Sequence, residues 1–74
     1  MREVRLNNKE HQKFILVMEQ KMADRGMSID DLADALEVKR KSIYNFRADT
    51  SRNPSRFLAA KIATYFGMMP RDWR

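Results

Sequence analysis

Ser28-Ile-Asp-Asp-Leu-Ala-Asp-Ala-Leu36, then Glu37-Val38, then Lys39-Arg-Lys-Ser-Ile-Tyr-Asn-Phe46 is the stretch that decides how this chain folds. Ser28 can accept a hydrogen bond from a backbone amide of the first turn, which makes it a helix N-cap. Asp30 and Asp31 then stand at the positive end of the helix dipole, where carboxylates are favoured. Ile29, Leu32, Ala33 and Leu36 share one face and Asp30, Asp31 and Asp34 the other, the pattern of an amphipathic helix. Glu37-Val38 breaks it. A further helix follows, from Lys39 or Arg40 to Arg47, with Ile43 and Phe46 pointing inward and Ser42 at their edge. Two such helices crossing near a right angle need a small residue at their closest approach, and Ala33 supplies it. Leu32, Leu36, Val38, Ile43 and Phe46 are placed to pin the turn and the back of the second helix.

Reading outward, Asn7-Asn8 caps a helix of about Lys9 to Arg25, with Glu10 favourable in its first turn. Phe14, Ile15, Met18 and Met22 form its apolar stripe. The run Phe14 to Met18 is wider than one face needs, so Leu16 or Val17 is left exposed as a candidate contact. Gly26 stands where a left-handed C-terminal residue is wanted. On the other side, Ala48 to Asn53 reads as a polar loop, and Asn53-Pro54 as an N-cap followed by proline at the first helical position. The helix this starts runs through Phe66 and stops at Gly67, with Leu58, Ala59, Ile62, Tyr65 and Phe66 inward. Pro70-Arg-Asp-Trp73 reads as the first turn of a truncated fifth helix, folding Trp73 back on the core. Strand signals are nearly absent. The expectation is an all-α chain, a compact bundle of four to five short helices forming one domain over residues 1–74.

Composition limits what that bundle does. The chain has 74 residues, no cysteine and a single histidine, so neither disulfides nor a metal is at hand to reinforce a small core. Helix packing must supply the stability. His11 has no carboxylate or cysteine placed to complete a metal site, and Met18, Met22, Met68, Met69, Tyr65 and Trp73 read as core. No metal and no cofactor is expected. The longest apolar run has five residues, far short of the ~20 of a membrane span, and no signal peptide is visible. The expected setting is the cytoplasm, away from membranes. No nucleophile–base constellation or phosphate-binding glycine loop is present, so the chain is not expected to be an enzyme.

Charge gives the positive indication. Between Lys39 and Arg56 lie Lys39, Arg40, Lys41, Arg47, Arg52 and Arg56 against a single Asp49, and this +5 equals the formal net charge of the whole chain. A polyanion is bound by such a local cluster rather than by a high average.

The spacing of the opening stretch resembles that of the phage lambda repressor and Cro-like (XRE-type) helix-turn-helix family. The similarity runs from Met27 to Met68, including Asn53-Pro-Ser55 and the Ile62-Ala63-x-x-Phe66-Gly67 ending, a little over half of the chain. The motif itself falls at about 28–47. Three positions depart from the family pattern. Glu37 stands where a turn glycine is usual, Ile29 where a glutamine often grips a phosphate, and Asp49 where glycine commonly ends the recognition helix. The resemblance implies that residues at the start of the recognition helix and one turn on read base edges, here Arg40, Lys41, Tyr44 and Asn45. Arginine or lysine can donate to guanine, and asparagine can pair with adenine. Lys39, Arg47, Arg52 and Arg56 look like phosphate contacts that set register. It implies a Cro- or repressor-type regulator of a phage or mobile element, binding a double-stranded operator as a homodimer, at least on DNA.

A second reading stays open. Glu37, Ile29 and the acidic second helix also suit an antirepressor or modulator that binds a repressor protein, with Ile29, Asp30, Asp34 and Glu37 as its docking face. An antitoxin-like module is a third.

Overall fold

The computed structural model describes residues 4–48 and 56–74. Four helices run through them, α1 (Asn8–Asp24), α2 (Ile29–Leu36), α3 (Arg40–Ala48) and α4 (Arg56–Phe66), followed by a single 3-10 turn at Pro70–Asp72. The fold is an all-α helix-turn-helix bundle, with no strand among the described residues. None of these helices is long and apolar enough to cross a membrane.

Side chains define where α1 and α2 begin. Asn7 accepts from the Glu10 amide at 2.8 Å while the Glu10 carboxylate accepts from the Asn7 amide at 3.1 Å. Ser28 and Asp31 form the same reciprocal pair at 3.1 and 3.0 Å. Each box satisfies two amides that have no partner inside the helix. Asp31 is thus a capping residue as well as a first-turn charge.

Three helices end in one geometry. Gly26, Glu37 and Gly67 all have positive φ, at 64°, 57° and 68°. In each case the next amide reaches back over the turn: Met27 to Met22, Val38 to Ala33 and Met68 to Ala63, at 2.9, 3.0 and 2.8 Å. The left-handed residue itself donates to the carbonyl three positions earlier, which completes a Schellman motif. Two of these turns use glycine, which has no Cβ to clash. The third imposes the conformation on Glu37, at a cost of roughly 1–2 kcal/mol for an L-residue.

The core takes Phe14, Met18 and Met22 from α1, Leu32, Ala33 and Leu36 from α2, Ile43 and Phe46 from α3, and most of one side of α4. Phe14 is fully buried and central, its ring 5.8 Å from that of Phe46 and 5.2 Å from that of Trp73. Trp73 therefore does fold back onto the core. Val4 and Leu6 are buried as well, and the Val4 amide donates to the Arg56 carbonyl at 3.1 Å, tying the leading segment to the start of α4.

Several expectations need correction. Helix α1 occupies Asn8–Asp24, one residue earlier than the pattern suggested, because Asn7 is the cap. Tyr65 is 37% exposed instead of buried. With Ile62 and Phe66 pointing inward, Tyr65 sits about 100° round the helix, on the flank. There it packs edge-on against Phe66 and lies beneath the Arg25 guanidinium at 5.3 Å. Met69 is 52% exposed, since extended backbone alternates sides and Met68 takes the inward place. As the width of the Phe14–Met18 run implies, one member is left out: Leu16 is exposed, and Val17 is half-buried against the core. The fifth helix is only the 3-10 turn, whose Asp72 carboxylate accepts from the Met69 amide at 2.7 Å. Asn53-Pro54 and the polar loop before it lie outside the described residues, apart from Ala48, which is the last residue of α3.

Candidate nucleic-acid interface

Helix α3 is a weak helix by composition. It has nine residues, and Ser42, Ile43, Tyr44, Asn45 and Phe46 all rank below the best helix formers. A helix this short does not stand alone in water. Packing holds it: Ile43 is fully buried, Phe46 nearly so, and α2 and α3 pack more closely than any other pair of elements.

Fixing those two residues inward fixes the rest at 100° per residue. Lys41, Tyr44 and Asn45 project away from the core, all exposed. Their side chains make no hydrogen bond or ion pair within the described structure. Asn45 also borders a shallow groove between α3 and α4 with Val38, Ser42, Phe46, Phe57 and Lys61. Arg40 stands on the opposite flank, sharing that side with Arg47.

Both flank arginines are engaged. The Arg40 guanidinium donates to the Asp30 carboxylate at 3.4 Å, and Arg47 Nε donates to Glu19 at 2.7 Å. The Arg40–Asp30 side chains are 65% and 62% exposed, those of Arg47–Glu19 45% and 41%. Pairs this exposed are worth about 0–1 kcal/mol each and exchange readily for other partners. Lys39 is exposed in the turn, and its carbonyl accepts from the Ser42 amide at 2.9 Å to begin α3. Arg56 is exposed at the start of α4. Arg52 and Asp49 lie outside the described residues. Of the residues expected at base edges, the structure therefore brings Lys41, Tyr44 and Asn45 onto one unengaged strip and sets Arg40 on the acidic flank.

The alternative docking face is divided. Ile29 is half-buried and packs against the core, and Asp30 is held by Arg40. Asp34 and Glu37 remain exposed on that side. Across α2 and its turn stand four carboxylates, Asp30, Asp31, Asp34 and Glu37. From Lys39 through α3 stand four cations, Lys39, Arg40, Lys41 and Arg47.

One polar residue was missed by sequence reasoning. His11 is buried, 6% exposed, with Nε2 2.9 Å from the Phe46 carbonyl. A carbonyl only accepts, so Nε2 carries the hydrogen. The signal was present: His11, Phe14, Met18 and Met22 follow one helical stripe, and a histidine on such a stripe is a buried histidine.

The family model of the Cro/C1-type HTH DNA-binding domain matches residues 18–72. That span includes α2, α3, α4 and the closing turn. No curated protein and no solved structure matches the chain.

Proposed function

Because the chain belongs to the Cro/C1-type helix-turn-helix DNA-binding family, we propose that it is a sequence-specific transcriptional regulator of Cro or repressor type, encoded by a phage or mobile element. Lys41, Tyr44 and Asn45 read base edges in the major groove. Arg40 joins them once it leaves Asp30. Lys39, Arg47, Arg52 and Arg56 neutralise phosphates on either side and set the register of α3. The observation that carries this reading is the strip of three exposed polar side chains on α3, unengaged within the described structure and flanked by the cations that make up the chain's surplus charge.

One nine-residue helix spans few base pairs, so useful specificity comes from two copies on half-sites about one DNA turn apart. Approach is electrostatic. On arrival, Arg40 and Arg47 exchange Asp30 and Glu19 for the duplex, at a cost of about 0–1 kcal/mol per pair.

Equilibrium binding to a random-sequence duplex and to one selected from a random pool, across a salt series, tests the proposal. Four phosphate contacts per copy correspond to a slope of log affinity against log salt of roughly −3.6 per bound copy. A slope of that size with a preferred duplex agrees with the regulator. Absence of duplex binding at low salt would sink it.

A second reading, a modulator that docks on a repressor protein, draws on Asp34 and Glu37. These are exposed carboxylates without partners in the described structure, beside the proposed DNA surface. It gains only if duplex binding fails and a purified repressor domain binds in its place.

A further inference from the structure

His11 is the one buried polar side chain among the described residues, and none of the DNA contacts above uses it. We infer that His11 is a positioning residue for base reading, holding the last turn of α3 at the angle from which Tyr44 and Asn45 meet the groove. The inference rests on the DNA-reading role proposed for α3.

The Phe46 carbonyl lies in the last turn of α3 as described, Arg40–Ala48, and is the acceptor of a buried bond from another helix. A buried carbonyl without a partner is unfavourable, and the His11 Nε2–H supplies one from α1 at 2.9 Å. The imidazole also meets the Phe46 ring edge-on, with centroids 5.0 Å apart and planes at 82°. Phe14 of α1 reaches the same end of α3, against the Phe46 ring, and unlike the exposed Glu19–Arg47 pair this contact stays when DNA binds. The backbones of α1 and α3 approach less closely than those of α2 and α3, so the side chains of α1 must reach across to make this brace. A purely apolar stripe would fill the core equally well. What an imidazole adds is a directional bond, and it is made to the helix that carries the reading residues. Asn45 directly precedes the anchored Phe46, so any tilt of that turn carries Asn45 and Tyr44 with it.

The test compares affinity for the selected duplex with affinity for a random one, in the full chain and in its His11→Leu and His11→Gln variants. Partial unfolding lowers both affinities equally and leaves their ratio unchanged, whereas misplacement of α3 lowers the ratio. His11→Leu is expected to reduce the ratio about tenfold, the scale of one good base contact. Hydrogen exchange at the Phe46 and Arg47 amides should quicken relative to α4. His11→Gln, whose amide can still reach the carbonyl, should restore most of both. An unchanged ratio in His11→Leu, or His11→Gln no better than His11→Leu, overturns the positioning role. Should His11→Leu fail to fold, His11→Asn takes its place, being one methylene shorter than His11→Gln; equal ratios for those two overturn it as well. A wild-type chain with no preferred duplex instead overturns the DNA reading itself, and the inference with it.

Discussion

Helices α2 and α3 are neighbours of nearly equal length, yet they are held in opposite ways. Helix α2 closes both its ends itself, with the Ser28–Asp31 box at one and the Glu37–Val38 turn at the other. Helix α3 is preceded by Lys39, whose side chain has no acceptor to cap with, and its last turn is held by His11 and Phe14 from α1. Helix α2 commits Ser28 and Asp31 to its own cap. Helix α3 leaves Lys41, Tyr44 and Asn45 uncommitted, because its stability comes from Ile43 and Phe46 behind and from α1. A surface that reads a ligand needs side chains with no prior engagement, and borrowing stability from neighbours is how α3 keeps them.

The sharpest way to break this contrast is Phe46→Ala. Phe46 fills the core, packs against His11 and Phe14, and ties α3 to the rest. Losing a buried phenylalanine costs about 3–5 kcal/mol, a large share of the stability of a domain this small. Urea unfolding followed by far-UV circular dichroism should show a chain largely unfolded or close to it. A loss below about 1 kcal/mol would mean that α3 is not held from behind.

Asn45→Ala, one residue away, should do the reverse. Its side chain is exposed and has no hydrogen bond within the described structure, so stability should move by no more than about 0.5 kcal/mol. Affinity for the selected duplex should fall by about 1–3 kcal/mol while affinity for random duplex barely changes. Equal weakening on both duplexes in a titration would remove Asn45 from the reading strip.

How much of this was open to inspection in the sequence follows the same division. The ends of α1 and α2 and the stop at Gly67 were legible, since caps and left-handed turns are chosen by local chemistry. So was the inward pair Ile43 and Phe46, which a period of 3.6 places on one face. Contacts between distant segments were not legible. Nothing in the short run Val4 to Leu6 has the length to show a period, so its burial was unseen. The pairs Arg40–Asp30 and Arg47–Glu19 exist only once α1, α2 and α3 are assembled. Tyr65 and Met69 read as core because they are large and apolar, but position on the helix or extended segment places them outside. His11 reads in the sequence only as a lone histidine without further metal ligands, because its acceptor, the Phe46 carbonyl, is 35 residues away.

Glu37 gives a smaller test, because Gly26 and Gly67 supply its control within the same molecule. All three turns share one geometry, and only Glu37 carries a side chain there. Glu37→Gly should raise stability by about 1 kcal/mol, part of the left-handed penalty being offset by the greater freedom of glycine in the unfolded chain. Gly67→Ala should lower stability by a similar amount, as strain and not as a clash, since nothing lies within 4 Å of a Cβ placed there. Urea midpoints of the two variants measure both. Movement in the same direction would refute the reading of Glu37 as a strained turn residue.

The smallest effect expected is also the one that most refines the contrast, at the contact where α2 and α3 meet. Asp30 favours the N-terminal end of α2 and holds Arg40 at 3.4 Å in an exposed pair. Asp30→Asn loses a charge–dipole interaction worth about 0.3–1 kcal/mol and an ion pair worth little. Stability should therefore fall by about half a kcal/mol. It also frees Arg40 and removes a negative charge from beside the phosphates, so random duplex should bind a few-fold more tightly, most visibly at low salt. If Asp30 only competes with DNA, selected and random duplexes gain together. If Asp30 aims Arg40 at a base, the selected duplex gains less than the random one and the ratio between them drops. The first outcome leaves α2 as a self-contained support beside a reading helix. The second makes one of its carboxylates part of the reading.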